Sequence, residues 1–303
     1  MDLSIIILNY NSADYLEKCL ESIKKSNFDK YTYEVIVVDN NSTDESIKLA
    51  KSVNTINTKY LLLKDNKGFS HGNNQGLTVS NPKSKYVLFL NPDTKVKQET
   101  FKKMIDFFET NPQVDAATCR IDLVLTNQMQ PECHRGFPTP WRSFCYFTNL
   151  YKLFPKSILF SGYFLGHLDL TTPHPIEACV GAFLMVKRQV GKTIGWWNEK
   201  YFFYGEDLDF CYQLNKKGYK LFFYPDTKIY HYQGISSGLI SKSKHLSKAS
   251  RKTKIMIAKA STQAMRIFYQ QNLFKDYNFL TRFLVNVGIN LLEIKRVFKA
   301  RFL

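Results

Sequence analysis

Tyr86-Val-Leu-Phe-Leu90 is an unbroken apolar run rich in β-formers, ended by Asn91-Pro92-Asp93. A run this short and continuous reads as a strand buried on both faces, the kind found in parallel sheets covered by helices. Proline and short polar side chains end regular pairing directly after it. The chain therefore presents a carboxylate, Asp93, at the carboxyl end of a buried strand, where open α/β sheets hold their ligands. Taken alone, the stretch reads equally well as a turn in which Asp93 caps the next helix.

Three earlier runs repeat the pattern. Leu3–Leu8 closes in Asn9-Tyr10-Asn11-Ser12, Glu34–Val38 in Asp39-Asn40-Asn41-Ser42, and Lys59–Leu63 in Asp65-Asn66-Lys67-Gly68-Phe69. Between the first two, Tyr15, Leu16, Cys19, Leu20 and Ile23 recur at three and four, which predicts a helix. Ile47 and Leu49 mark a second helix, the polar stretch 70–80 a weak third, and 101–109 a fourth. Strands and helices alternating at this spacing predict βαβ units and a mainly parallel sheet. The polar clusters would then converge on one sheet edge, as a nucleotide site requires. Neither Gly-x-Gly-x-x-Gly nor Gly-x-x-x-x-Gly-Lys-Ser/Thr occurs, so no dinucleotide fold or P-loop is indicated.

Residues 130–175 break this rhythm, with six prolines set among Phe137, Trp141, Phe144, Tyr146 and Phe147. They read as a long excursion, partly helical over 141–154, that covers or feeds the site. Ala178–Val186 has strand character. In Trp196-Trp197-Asn198-Glu199, and on to Gly205, an aromatic run ends; Glu206, Asp207 and Asp209 then fall in the first turn of a helix reaching about Lys217. The helix dipole by itself favours acids there. Gly218–Pro225 and Lys228–Tyr232 give further strand character and set His231 among aromatics, a setting shared by packed core histidines and ligands.

Charge separates the last part of the chain from the rest. Of the net +16, residues 242–303 carry 14 Lys/Arg against 2 Asp/Glu, whereas residues 1–241 carry 28 against 24. A basic tail points to an anionic surface, membrane or nucleic acid, or to a solvated charged face. Residues 242–259 are basic and expected to be helical in their second half. Beyond them Leu280, Phe283, Leu284, Val287, Leu291, Ile294 and Phe298 recur at helical spacing, with Arg282, Lys295, Arg296, Lys299 and Arg301 between them. The uncharged run Phe283–Leu292 is too short to span a bilayer. A basic amphipathic helix on anionic lipid, and packing against the body or a second subunit, both fit. At 303 residues and 44% hydrophobic, the chain can bury a sizeable core. Its six cysteines form no Cys-x-x-Cys pair, which argues against a disulfide framework or zinc site and fits a reducing cytosol. The start shows no basic n-region and apolar h-region, so no signal peptide is expected.

Seven segments, in order, resemble the family 2 glycosyltransferases: Ser4–Asn11, Val37–Ser42, Asn66–Phe69, Leu90–Asp93, Gly181–Val186, Gly205–Phe210 and His231. The likeness covers roughly residues 3–235, and its nearest subgroup looks like the bacterial rhamnosyltransferase-type enzymes of surface polysaccharide synthesis. The resemblance implies a GT-A fold, a Rossmann-like, mainly parallel α/β sheet flanked by helices, here with a basic helical C-terminal extension. It implies that Asp39 accepts a hydrogen bond from a pyrimidine base near Tyr10, and that Asn66, Gly68, Phe69 and Asn91 flank the nucleotide-sugar. Asp93 stands where the family's Asp-x-Asp motif holds Mg²⁺ or Mn²⁺, and His231 matches a further metal ligand of some members. Asp207 matches the catalytic base, with Gly181, Glu206 and Trp197 on the acceptor side. Three positions depart from the pattern: Asn91 replaces the first acid of Asp-x-Asp, Asn198 stands where an Asp is common, and Gln213 where an arginine often follows.

The expected organisation is a glycosyltransferase domain over 1–240, with a nucleotide-binding half (1–118) and an acceptor-binding half (119–240), then a C-terminal region over 241–303. The expected activity is inverting, metal-dependent sugar transfer, from dTDP-rhamnose or else a UDP-sugar, to a glycan or lipid-linked glycan. It is expected in the cytoplasm, with anionic membrane and a second copy as further partners and nucleic acid not among them. A non-catalytic binding protein or a degenerate scaffold on the same fold are the rival readings.

Overall fold

The computed structural model describes residues 1–53, 57–232 and 251–302. The strands are β1 (Leu3–Asn9), β2 (Tyr33–Asp39), β3 (Thr58–Leu62), β4 (Tyr86–Leu90), β5 (Thr94–Val96), β6 (Ala116–Leu123), β7 (His174–Ile176), β8 (Phe183–Lys187) and β9 (Leu221–His231). The helices are α1 (Ala13–Lys24), α2 (Ser46–Ser52), α3 (Phe69–Val79), α4 (Thr100–Thr110), α5 (Pro140–Phe147), α6 (Leu150–Leu153), α7 (Arg188–Ile194), α8 (Glu206–Lys216), α9 (Arg251–Phe268) and α10 (Phe279–Phe302). Every residue of β1 and β4 is buried, as strands covered on both faces require; β4 is an unbroken apolar run, and β1 is apolar but for Ser4 and Asn9. Helix α1 buries Leu16, Cys19, Leu20 and Ile23, the stripe set by their spacing.

The strands form one sheet in the order β3-β2-β1-β4-β8-β6-β9-β5, with β7 also on β9. Strands β1 to β4 are mutually parallel; β8 is antiparallel to β4 and to β6, and β9 runs parallel to β6. Two reversals restore direction. The carboxyl ends of β1, β2, β3, β4, β6 and β9 thus emerge on one edge, where β8 enters behind Gly181-Ala182. That edge is the place for a site.

Several elements differ from expectation. The strand expected over 178–186 begins only at Phe183; Ala178 instead makes a single bridge to Arg135. The two strand segments around Pro225 are one strand, β9. Its pairing with β6 jumps from Cys119↔Tyr224 to Arg120↔Lys228, so Pro225 falls in the irregularity, where no ladder donor is required. The helix over 141–154 splits at Asn149, whose backbone is left-handed at φ +61°. Strand β6 opens on Ala-Ala, weak strand formers, and carried no apolar-run signal; the expected division at 118/119 falls inside it. Residues 242–250 lie outside the described residues.

The edge opposite the site is fastened by a buried polar network. The Arg188 guanidinium donates to the Ser84 carbonyl (3.1 Å) and to the hydroxyls of Ser84 (2.8 Å), Ser80 (2.9 Å) and Ser4 (3.2 Å), and Ser4 in turn donates to Glu34 (2.7 Å). These bonds join α7 to β1 and to the connection between α3 and β4.

The C-terminal helices form an antiparallel hairpin, in which Arg266 meets Glu293 (2.6 Å) and Asn290 (2.8 Å) and Arg296 donates to Ser261 (2.8 Å). The hairpin is not detached from the body. Phe268, Tyr269 and Leu273 join the main core, and Ala264 packs against Gly205 at the start of α8. Among the described residues no helix is long and apolar enough to cross a membrane. Substituting Arg188→Ala leaves several buried hydroxyls without a donor and is expected to cost about 3 kcal/mol in urea denaturation; a loss within error of zero would show that the network contributes no stability.

Candidate active site

Strands β1 and β2 place Asn9 opposite Asp39 in register. Asn9 Nδ2 donates to Asp39 Oδ1 (2.8 Å), and the Ser42 backbone N–H donates to Oδ2 (3.0 Å). The carboxylate is thus buried, aimed, and left with further lone pairs. Tyr10, next in sequence, is half exposed. Beside it Asn40 Nδ2 donates to Asn66 Oδ1 (2.8 Å), which also accepts from the Gly68 N–H (3.0 Å). Gly68 has φ +95°, and a Cβ there would overlap the Phe202 backbone, so this position is closed to other residues. The Phe69 N–H donates to the Phe202 carbonyl (3.0 Å), stitching the loop after β3 to the loop before α8.

Asp93 leaves β4 through a turn held by Asn91 N–H to the Ala182 carbonyl (3.0 Å). Strand β5 then pairs Thr94 with His231 at the end of β9. His231 Nε2 lies 3.1 Å from Asp93 Oδ1, and its Nδ1 lies 2.8 Å from Gln130 Oε1. Burial alone would raise the Asp93 carboxyl, but the adjacent His231 outweighs it and holds the group below its ordinary value. Gln130 Oε1 accepts from Nδ1, which leaves Nε2 as the nitrogen on the Asp93 side, the one a metal could take in place of its proton. The pair fits a divalent cation. Among the described residues no group of three or more His, Cys, Asp or Glu forms a metal cage, so further ligands would come from substrate and water.

Helix α8 begins behind Gly205, whose φ of +81° turns the chain into it. Its three acids have three different environments. Asp207 accepts from Arg135 Nη2 (2.8 Å) and from the Leu208 N–H (2.7 Å). Arg135 is itself buried, and its backbone pairs with Ala178 in both directions. Burial works against that guanidinium, yet Asp207 holds it protonated, above its ordinary value. Glu206 is buried with one carboxyl oxygen unpartnered; burial, reinforced by the Asp207 charge, pushes it up to about 8. Asp209 faces away from this edge. It accepts from Asn272 (2.7 Å) and Asn198 (3.0 Å), and so joins α8 to the segment after α9.

Asp39, Asn66, Gly68, Phe69, Asn91, Asp93 and His231 therefore gather on the carboxyl edge, with Asp207 bordering it through Arg135. Trp197 does not face an acceptor: it is 2% exposed, packed edge-on to Phe69 and Phe89 and against Phe210. Its size and apolarity are satisfied in the core. Gly181 is buried beneath the rings of Phe69 and Trp197. Asn9, Gln130 and Arg135 escaped sequence reasoning. Asn9 was visible as the polar end of β1, whereas Gln130 and Arg135 sit in the irregular excursion, where no spacing singles them out.

The model of the family described as "Glycosyl transferase family 2" matches residues 4–171. The chain belongs to this family. It is 27% identical over 240 residues to the rhamnosyltransferase WbbL of Escherichia coli (strain K12), covering 75% of this chain and 82% of WbbL. It is 32% identical over 110 residues to the poly(ribitol-phosphate) beta-N-acetylglucosaminyltransferase TarS of Staphylococcus aureus (strain Mu50 / ATCC 700699), covering 36% of this chain and only 19% of TarS. Solved structures share the fold. TarS 1-349 in complex with UDP superposes with TM-score 0.53 at 16% identity, covering 99% of this chain and 90% of that one. The mannosyltransferase PcManGT of Pyrobaculum calidifontis, in complex with GDP-Man and Mn²⁺, does so with TM-score 0.57 at 14% identity, covering 98% and 72%. The fold is GT-A, the sheet and helices expected of it.

The Glu206 carboxyl sets a pH dependence. Between the unfolded value near 4.5 and about 8, the folded state keeps a proton that the unfolded chain has lost, so this group's contribution to stability falls as pH rises through that window. Glu206→Gln removes that penalty. Its stability relative to the parent, measured by denaturation at pH 5 and pH 8, is expected to improve at the higher pH; a constant difference would place the Glu206 value near that of a free carboxyl.

Proposed function

We propose that this glycosyltransferase moves rhamnose from dTDP-rhamnose to a growing bacterial surface glycan, by an inverting, metal-dependent route in the cytoplasm. The observation that carries the reading is the Asp93–His231 pair at the carboxyl edge, with an Arg135-held Asp207 bordering it. The similarity to WbbL along most of both chains supports the choice of sugar. Asp39, fixed by Asn9 and Ser42, would accept the N3–H of the pyrimidine, with Tyr10 beside the nucleoside. The Asn66–Phe69 turn and Asn91 would flank the donor. Asp93 and His231 would hold Mg²⁺ or Mn²⁺, which when bound neutralises charge on the leaving diphosphate.

Asp207 would take the proton of the acceptor hydroxyl, a role that requires a carboxylate within hydrogen-bond reach of it. Arg135 fixes the orientation of that carboxylate through one oxygen. Attack in line with the departing diphosphate inverts the anomeric centre. A neutral Glu206 next to Asp207 adds no second charge to repel the diphosphate. The acceptor would be a glycan or lipid-linked glycan admitted between the 130–175 excursion and α8. The likeness to TarS, which has been solved with UDP, favours a UDP-sugar as the second reading; thymine and uracil offer Asp39 the same N3–H.

Thermal unfolding with dTDP, UDP, GDP and ADP, each with and without Mn²⁺, separates these readings. A metal-dependent rise is expected with dTDP, worth about 2.7 kcal/mol at a hundredfold excess over its dissociation constant. A rise with UDP alone would move the donor to the second reading, and none with any nucleotide would overturn both. Asp207→Asn is expected to lower turnover by roughly 10²–10⁴-fold while leaving the nucleotide shift intact; unchanged turnover would remove Asp207 as the base.

A further inference from the structure

One face of α10 packs on α9, and Ile289 is buried there. Among the described residues nothing covers the opposite face. Leu280, Phe283, Leu284, Leu291, Ile294 and Phe298 are each more than half exposed. At the helical advance of about 100° per residue these side chains fall within a stripe roughly 100° wide that runs straight along the helix. Such a stripe on a monomer's surface marks something it is meant to meet.

The charges beside the stripe say what that is. Lys295 and Lys299 lie along one border and Arg301 along the other, all exposed. The helix has one acid, Glu293, and it is taken up by Arg266 of α9. The remaining arginines are also committed within the protein, Arg296 to Ser261 and Arg282 to the Phe274 carbonyl. Among the described residues the face is therefore an apolar strip between free cations, with no free acid.

We propose that this face seats the protein on an anionic lipid bilayer, with α10 lying in the plane of the interface. The apolar side chains enter the acyl boundary, and the lysine and arginine heads reach back to the anionic headgroups. A helix of 24 residues is about 36 Å long, so the contact is extended. A second copy of the chain fits less well, because pairing two such faces brings cations against cations with no acid to answer them. The proposal is independent of the donor sugar and of the transferase reading.

The test is flotation of the full chain with two kinds of vesicle, phosphatidylcholine alone and phosphatidylcholine with phosphatidylglycerol, over a salt series. The chain is expected to float with the anionic vesicles and to be released by salt. Lys295→Glu with Lys299→Glu should weaken binding by roughly thirtyfold or more. Ile294→Glu with Phe298→Glu should abolish it with the circular dichroism and thermal midpoint unchanged, since both residues are exposed. Wild-type chain left in the unbound fraction with anionic vesicles overturns the proposal, as does undiminished flotation of the Ile294/Phe298 variant. Sedimentation showing a dimer that ignores vesicles, and that this variant dissociates, would assign the face to a second copy instead.

Discussion

Acids buried near one sheet edge must each be given hydrogen bonds or an opposite charge, and the site is organised by how that requirement is met. Asp39 has an amide and a backbone N–H, Asp93 has an imidazole, Asp207 has a guanidinium, and Asp209, turned away from the edge, has three amides. Glu206 receives no partner for one oxygen and keeps its proton instead. Each solution recruits a different part of the chain: β1 for Asp39, β9 for Asp93, the 130–175 excursion for Asp207, the C-terminal segment for Asp209. Compensating the acids thus also ties β9 to the turn after β4, the excursion to α8, and α8 to the C-terminal segment.

Strand β9 carries the longest reach in this scheme. It pairs with β5, β6 and β7 and ends in His231, so a residue 138 positions after Asp93 arrives at hydrogen-bond distance from it. The irregularity at Pro225 lets one strand continue past a residue that cannot donate to a ladder.

The parallel half of the fold was legible because β1, β2 and β4 each carry a largely apolar run ended by Asn or Asp. Asp39, Asp93 and the Asn66–Phe69 turn could be placed on one edge from that pattern alone. The antiparallel half was harder to read. Strand β6 begins with small residues, β5 and β7 have three residues each, and their pairing is set by long-range register, not by local preference. Gln130 and Arg135 were hidden for the same reason: their importance comes from which carboxylate or imidazole the folded chain brings to them. Trp197 shows the converse, an aromatic beside a functional motif that is used to fill the core. The period of three and four in α10 was plain in sequence, but only the packing of α9 distinguishes its covered face from its bare one.

Asp209 and Asp207 are two residues apart on α8, one gripped by Asn272 beyond α9 and the other by Arg135. The first turn of that helix is therefore a rigid joint between the C-terminal hairpin and the carboxyl edge. At Gly205, which opens that turn, an added Cβ would come 3.1 Å from the Ala264 methyl, so the hairpin and the turn meet with no room for a side chain between them. Tilt of the hairpin relative to any surroundings is accordingly tilt of the whole cleft, so the hairpin sets the direction in which the opening points.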